Sequence, residues 1–291
     1  NMIIIFYHLS IYLKSVVLTD SIYIKLTYFL QNGACLNLKT PKTFNEKLNW
    51  LKIHDHNPLY TLLADKYEVK DYVAQKIGKE FVVPSIGVWN KFEDIDFDSL
   101  PDEFVLKATH NSGGITICHD KKLLDLNKLN YDFNTILNTN WYYTSHEWVY
   151  RDIPPRIIAD TLLKTKTSSE IKDYKFWCFN GKPRIMYITN KGENISENFY
   201  DMNFMPLDIN HGFPRSVPEY ERPAEFDLMK QLAEKLAQDI PFVRIDFFDI
   251  DGQVYFGEYT FYDWGGMRAF ATKDMDIMLG NWIDISSVKQ Q

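Results

Sequence analysis

The stretch Val243-Arg244-Ile245-Asp246-Phe247-Phe248-Asp249-Ile250-Asp251-Gly252-Gln253-Val254-Tyr255-Phe256-Gly257-Glu258 reads as two antiparallel strands joined by a two-residue turn. Asp251-Gly252 is a strong hairpin signal, and the runs on either side of it are rich in β-branched and aromatic residues. Side chains two apart share a face of a strand, so Arg244 and Asp246 point together, away from Val243, Ile245 and Phe247. Hairpin register brings Glu258 to the Arg244/Asp246 end of the first strand. Two carboxylates that close repel unless a cation lies between them, which makes the hairpin a candidate metal site. A solvated acidic face is the commoner reason for such a pattern. Glu258 argues for more, because it lies within Tyr255-Phe256-Gly257-Glu258-Tyr259-Thr260-Phe261-Tyr262 and a carboxylate among aromatics is costly unless paired.

A second stretch, Glu103-Phe104-Val105-Leu106-Lys107-Ala108-Thr109-His110-Asn111-Ser112-Gly113-Gly114-Ile115-Thr116-Ile117-Cys118, reads strand, glycine loop, strand. Lys107 ends an apolar run beside a loop whose Gly113-Gly114 backbone can approach a ligand closely, offering N–H groups and a cation to phosphate oxygens. It is not a Walker A loop, since the Gly-Lys-[Ser/Thr] order is missing. A plain hairpin turn is the competing explanation of the two glycines. His110 adjoins the loop, either as a donor to phosphate or as a packing residue.

Together, and in this order, these pieces resemble the ATP-grasp superfamily and, within it, the TupA-like family of polysaccharide-biosynthesis proteins. The resemblance covers nearly the whole chain. It runs from Asn37-Leu38-Lys39-Thr40-Pro41-Lys42-Thr43-Phe44-Asn45-Glu46-Lys47-Leu48-Asn49-Trp50-Leu51-Lys52 through Leu59-Tyr60, Ala64-Asp65-Lys66-Tyr67, Phe104-Val105-Leu106-Lys107, Ser112-Gly113-Gly114 and Lys172-Asp173-Tyr174-Lys175-Phe176 to Gly257-Glu258-Tyr259-Thr260-Phe261-Tyr262.

The resemblance implies an α+β fold of ATP-grasp type, with two α+β lobes clasping the nucleotide and an additional helical N-terminal region. It also implies ATP and Mg²⁺ as cofactors, and an amide formed from a carboxylate and an amine through an acyl phosphate. Lys66 and Lys107 match the two nucleotide lysines, and His110, Asn111, Ser112, Gly113 and Gly114 make up the phosphate-covering loop. Asp160, Leu162 and Leu163 match the strand and hinge that meet adenine, where the family usually has Glu at the position of Asp160. Asp173 lies where the superfamily often places a ribose-binding acid, with Lys175 beside it. Asp246 and Glu258 match the magnesium carboxylates, and Arg244 the arginine that stabilises the transferred phosphoryl group. The catalytic set is therefore Arg244, Lys107, Asp246 and Glu258. Thr260 stands where ligases such as D-Ala-D-Ala ligase have an asparagine metal ligand; its shorter neutral hydroxyl makes one magnesium better supported than a second. The chemistry suits the inventory: transfer between two anions is opposed by charge repulsion, which lysines, an arginine and Mg²⁺ relieve.

At 291 residues, 45% hydrophobic and 15% aromatic, the chain can bury a core divided into several lobes. A net charge of −7 and a pI near 5.5, with no basic stripe, argue against nucleic acid as a partner. Cys35, Cys118 and Cys178 are too few and too far apart for a disulfide framework or zinc site, which fits a cytoplasmic location. His54-Asp55-His56 looks ligand-like, but it directly precedes the helix start Asn57-Pro58 and reads as solvated loop. Residues Met2 to Leu30 are apolar yet interrupted by His8, Lys14, Asp20 and Lys25, short of the ~20 clean residues of a membrane span. Core or partner-facing helices are expected there, with contact at the inner membrane face as the lesser alternative.

Four segments are expected: a helical N-terminal region (1–56), a linker lobe (57–100), a nucleotide-covering small lobe (101–163) and a metal-binding C-terminal lobe (164–291). Helices are expected at Phe44 to Ile53, Leu59 to Ile77, Lys122 to Thr139, Ala224 to Gln238 and after Lys273. Strands are expected at Phe81 to Val83, Ile86 to Trp89, Phe104 to Lys107, Ile115 to Cys118, Ile157 to Leu163, Tyr174 to Phe179 and Arg184 to Thr189, the last two joined at Asn180-Gly181. Pro206 to Pro223 reads as irregular. The aromatic insert with Trp148 and Arg151 suggests an acceptor surface, since sugars stack on aromatics and arginine forks onto carboxylates, though an aromatic core element fits equally. Arg268, in Trp264-Gly265-Gly266-Met267-Arg268, is a candidate carboxylate clamp.

The expected partners are a nucleotide and a carboxylate/amine pair, with an amino acid joined to a uronic acid or polysaccharide as the concrete form. Two other readings compete. A glycosyltransferase would use an Asp-x-Asp motif, spelled here by Asp94-Ile95-Asp96 and Asp249-Ile250-Asp251. A non-catalytic polysaccharide-binding module would need aromatics but not Lys66, Lys107, Arg244, Asp246 and Glu258 together.

Overall fold

A computed structural model describes residues 18–166, 171–190, 195–286 and 288. Expectations for residues 2–17 lie outside this range. The chain divides into two compact units, 57–169 and 1–56 with 170–291.

The smaller unit begins with helix α3 (Pro58–Ala64) and helix α4 (Glu68–Ile77), numbered after α1 (Asp20–Asn32) and α2 (Phe44–His54) of the larger unit. Asn57 caps α3 and Pro58 opens it. The single helix expected from Leu59 to Ile77 is broken in two. Asp65 adopts extended backbone and its carboxylate accepts from the backbone N–H of Tyr67 (2.8 Å), starting a new helix where the old one ends. A four-stranded antiparallel sheet follows, ordered β1-β4-β2-β3, from β1 (Ser85–Trp89), β2 (Phe104–Ala108), β3 (Ile115–Cys118) and β4 (Ile157–Thr161). No strand forms at Phe81 to Val83, where Lys79–Phe81 makes a 3-10 turn behind Gly78. Helix α5 (Leu126–Leu137) is capped by Asp125, so it starts later than expected from Lys122, which lies in a separate 3-10 turn. Leu129 and Phe133 of α5 pack on Phe104, Leu106 and Ile157, closing one face of the sheet. A helical turn, α6 (Tyr142–Ser145), follows α5.

The larger unit holds a six-stranded antiparallel sheet ordered β10-β9-β5-β6-β7-β8. Its strands are β5 (Asp173–Phe179), β6 (Lys182–Asn190), β7 (Ser196–Asp201), β8 (Pro206–Leu207), β9 (Phe242–Ile250) and β10 (Gln253–Thr260). Both expected hairpins form, with positive φ at Asn180, Gly181, Asp251 and Gly252, as tight turns of this kind require. β7 was not expected, and β8 interrupts the stretch read as irregular.

One face of this sheet is apolar. Val243, Ile245, Phe247 and Phe176 are completely buried, and helix α7 (Phe226–Leu236) lies over them, with Phe226 and Phe176 rings 5.9 Å apart. The opposite face is covered at one end by α2, whose Thr43/Glu46 capping box fixes its start. Phe44 there stacks on Trp177 (5.2 Å) and meets Phe242 (4.9 Å) edge-on. Helix α8 (Lys273–Asn281) packs beside α2, and Asp276 accepts from the Asn45 backbone N–H at 3.1 Å. Beyond Trp177, Tyr187 and Phe199, that face carries Lys175, Asp246 and Glu258. Among the described residues no helix is long and apolar enough to cross a membrane.

Candidate functional site

Strand register alone assembles the charged row. Glu258 pairs with Asp246, Asp246 with Lys175, and Lys175 with Tyr187, so four strands contribute to one line across the sheet. Thr260 and Trp177 flank Arg244 in the next line, and Asp173 lies two residues from Lys175 on the same face.

Glu258 reaches this face through a bulge. From Gln253 to Phe256 the hairpin pairs regularly, which would put Phe256 and Glu258 on the same apolar side. The register slips by one at Gly257, which turns Glu258 to the Asp246 side and Tyr259 to the buried side. A Cβ at position 257 would lie 3.1 Å from the Asp246 carbonyl oxygen, so the close approach calls for glycine.

Arg244 is the hub. Its Nε and Nη2 donate to the two oxygens of Asp246, each at 2.7 Å, and Nη2 also donates to Glu258 at 2.7 Å. Its Nη1 donates to Asp263 at 2.6 Å and lies 3.4 Å from the Tyr187 hydroxyl, which itself donates to Asp263 at 3.1 Å. Arg244 is the acceptors' shared cation; burial works against its charge, but Asp246, the Tyr187 hydroxyl and Asp263 outweigh it and hold its pKa well above the ordinary range. Burial pushes Asp246 upward while Arg244 and Lys175 oppose the shift. Lys175 is 2.8 Å from Asp173 and 3.7 Å from Asp246. Thr260 donates to Glu258 at 3.0 Å.

Two cations, Arg244 and Lys175, thus face four carboxylates, Asp173, Asp246, Glu258 and Asp263, an excess of two negative charges. The donor set is all oxygen, and the Glu258 side chain is 45% exposed, so a ligand can reach it. A hard divalent cation that keeps waters and phosphate oxygens fits such residues, with Asp246 and Glu258 to hold it. Among the described residues no cluster of three or more His, Cys, Asp or Glu has metal-binding spacing.

Beside the hub lies a buried group that sequence reasoning missed. Asp263, His211 and Glu197 are 1%, 1% and 2% exposed. His211 Nδ1 is 3.7 Å from Asp263 Oδ2. Burial drives the His211 ring down to about 4, and burial followed by the charge of Asp263 lifts Glu197 to about 7. Arg268 donates to the His211 carbonyl at 3.0 Å, with its guanidinium 3.2 Å from the Trp264 ring centroid and 4.4 Å from that of Phe213. The loop carrying Trp264 is tied to α2: Asn49 donates to Gly266 at 2.7 Å, Lys52 donates to Gly265, and Asn45 donates to Arg268 at 2.8 Å.

In the smaller unit, Lys107 is the fourth residue of β2 and leads into the glycine loop. Its Nζ meets Asp160 on the neighbouring strand at 3.0 Å; Lys70 of α4 (2.6 Å) and Ser85 (3.1 Å) bind the same buried carboxylate. Asp160 is thereby committed to two lysines. Lys66 donates to the Asn111 carbonyl, and its backbone N–H to Thr109 at 3.2 Å, so both lysines border the Thr109-to-Gly114 loop. The break at Asp65 makes this arrangement: Arg156 holds the Asp65 carboxylate at 2.6 Å, fixing the turn that presents Lys66. Ser112 and Gly113 are exposed and Gly113 and Gly114 have positive φ. His110 is buried with Nε2 3.1 Å from the Ile136 carbonyl, which is a packing position. Leu162 and Leu163 are half-buried just after β4.

The aromatic insert is packed rather than presented. Trp148 is 7% exposed, and Arg151 lies 5.7 Å over its ring while pairing with Asp152 at 3.1 Å. Both Asp-x-Asp stretches cap turns: Asp96 accepts from the Asp98 N–H (3.1 Å) and Asp249 from that of Gly252 (2.9 Å). His54 ends α2 against Trp50, with ring centroids 4.6 Å apart, and His56 Nε2 lies 3.3 Å from the Lys52 carbonyl.

These features define a protein of the ATP-grasp class. The chain belongs to the TupA-like ATP-grasp family, whose model matches residues 46–284. Among solved structures it is similar to the D-alanine–D-alanine ligase of Bacillus anthracis complexed with ATP (20% identity, TM-score 0.41, covering 68% of this chain and 55% of that one). It is also similar to the D-alanine–D-alanine ligase of Helicobacter pylori (15%, 0.45, 83% and 69%) and a RimK domain ATP-grasp protein of Sphaerobacter thermophilus (10%, 0.42, 77% and 69%). The chain spans between about half and two thirds of the length of these structures. No curated protein matches the sequence significantly.

Proposed function

We propose that this protein is an ATP- and Mg²⁺-dependent carboxylate–amine ligase that joins an amino acid to a uronic acid of a surface polysaccharide or its precursor. The observation that carries the reading is the adjacency of Arg244, Asp246 and Glu258 on paired strands, in a chain of the TupA-like ATP-grasp family. Magnesium, when bound, neutralises phosphate charge and orients the transferred phosphoryl group. Asp246 and Glu258 would hold it.

The side chains account for the remaining work. Lys66, Lys107 and the backbone of residues 111–114 bind phosphate oxygens, and Asp160 orients the Lys107 ammonium. Asp173 and Lys175 serve the nucleotide from β5, with Asp173 as ribose acceptor. Arg244 stabilises the charge that builds on the transferred group as the carboxylate attacks, and no nucleophilic side chain is required. Arg268, set on Trp264 and Phe213, is the clamp for a substrate carboxylate. ATP chemistry and three unbridged cysteines support a cytoplasmic site of action.

The test is ADP release from Mg·ATP with each amino acid paired with glucuronate, galacturonate or a UDP-uronic acid. ADP that appears only when an amine and a carboxylate are both present supports the reading. Transfer of sugar from the UDP-uronic acid without ADP formation would replace it with a glycosyltransferase.

A further inference from the structure

We propose that Glu197, Asp263 and His211 form the receptor for the ammonium group of the amine substrate. The inference rests on the carboxylate–amine ligase reading and adds the place where the amine is held.

Three observations converge. First, these side chains are at most 2% exposed, yet Glu197 Oε2, Asp263 Oδ2 and both ring nitrogens of His211 have no hydrogen-bond partner among the described residues. A buried acceptor left unpaired is costly, and although Arg244 occupies Asp263 Oδ1, Oδ2 of that carboxylate and Oε2 of Glu197 are still without a donor. A neutral imidazole offers one acceptor nitrogen, so the group presents three orphaned acceptors, the number of N–H donors on a primary ammonium. Second, the group abuts the reacting centre. Asp263 binds Arg244 at 2.6 Å and Tyr187 at 3.1 Å, and Glu197 lies on β7 two residues from Phe199, the cross-strand partner of Tyr187, on the same sheet face. Third, Arg268 stands next to the acids, bonded to the His211 carbonyl at 3.0 Å. An α-amino acid carries its carboxylate one carbon from its ammonium, which matches a guanidinium adjoining an acidic pair.

The step balances as follows. Glu197 takes one proton from the ammonium, and the nitrogen lone pair attacks the acyl phosphate carbon. The C–N bond forms as the C–O bond to phosphate breaks. Phosphate departs with that electron pair and takes up the second nitrogen proton, giving the amide.

Calorimetric binding in the presence of Mg·ATP tests the proposal without knowledge of the carboxylate substrate. The probes are the twenty amino acids and glucosamine, each against its deaminated counterpart, on the wild-type chain, Glu197→Gln and Asp263→Asn. The expected result is that at least one amine binds, its deaminated counterpart does not, and Glu197→Gln weakens it at least about tenfold while Mg·ATP binding persists. Equal amine affinity in wild type and Glu197→Gln, or no amine bound by a wild-type chain that does bind Mg·ATP, would overturn it. Failure of the wild type to bind Mg·ATP would instead bring down the ligase reading beneath it.

Discussion

Asp263, three residues beyond the end of β10, accepts a 2.6 Å hydrogen bond from Nη1 of Arg244 with a side chain that is fully buried. Arg244 is thus divided between two kinds of partner. Its Nε and Nη2 edge faces Asp246 and the half-exposed Glu258, the pair proposed to take magnesium, while Nη1 is anchored to a group that solvent does not reach. Replacing Asp263 by Asn keeps the shape and removes the charge. The expected outcome is a kcat lower by about 10- to 100-fold, as for other buried partners that orient a ligand-binding group, and a higher half-saturating Mg²⁺ concentration because Arg244 competes longer for Asp246 and Glu258. Steady-state kinetics over a Mg²⁺ series reads both.

Gly257 carries the bulge that turns Glu258 to the polar face. A methyl group there meets the Asp246 carbonyl at 3.1 Å, so Gly257→Ala must shift β10 or β9. We expect a loss of about 1–3 kcal/mol in urea unfolding, the usual cost of overpacking. Mg·ATP affinity should fall with it, whereas adenosine without phosphates should bind unchanged. A variant with wild-type stability and Mg²⁺ dependence would show that the bulge does not set the register.

Asp160 is surrounded by Lys70 and Lys107, and its side chain is 2% exposed. Removing it leaves two half-buried ammonium groups without their counter-ion. Asp160→Ala should cost about 3–5 kcal/mol in stability, measured by denaturant unfolding. Lys107→Met, by contrast, leaves Lys70 on Asp160 and should mainly reduce ATP affinity, by about tenfold or more for a lost charged hydrogen bond to phosphate.

Glu197 gives a pH signature. Its folded pKa is raised from the usual 4.5 to about 7, so the native state holds the proton more tightly than the unfolded chain. The stability it contributes is complete below pH 4.5 and declines as pH rises through about 7, by roughly 3 kcal/mol in total. His211, depressed to about 4 from 6.5, works the other way, losing stability as pH falls from 6.5 through 4. The measurement is therefore the difference between wild type and Glu197→Gln across pH 4 to 8. It should change in favour of the variant as pH rises; a flat difference would contradict the shift.

The hairpin was legible because its turn residues, Asp251-Gly252, and its alternating strands state both the fold and the face on which Asp246 sits. The approach of Glu258 to Arg244 could also be read, although the slip at Gly257 that produces it leaves little trace beyond a glycine in a strand. Asp263 could not be found this way, since it lies past the last paired residue and meets Arg244 only through the path of the following loop. Glu197 was hidden for another reason. Ser-Glu-Asn-Phe-Tyr-Asp lacks the apolar alternation of a strand, and β7 owes its burial to both sheet neighbours and the loop that carries His211. The helix break at Asp65 was invisible to apolar spacing, because a side chain capping its own successor leaves the periodicity intact.

The most direct measurement is thermal unfolding with and without Mg·ATP, on the wild type and on Asp246→Asn. A ligand that binds the native state raises its apparent stability by mass action, about 2.7 kcal/mol at a hundredfold excess over Kd, or roughly 5 °C for a chain of this size. Mg·ATP should raise the wild-type midpoint by that order and should leave Asp246→Asn, still folded, nearly unmoved. A wild type that responds to Mg·UDP-sugars but not to Mg·ATP, or an Asp246→Asn variant that responds as fully as the wild type, would contradict the assignment of Asp246 to the magnesium of an ATP site.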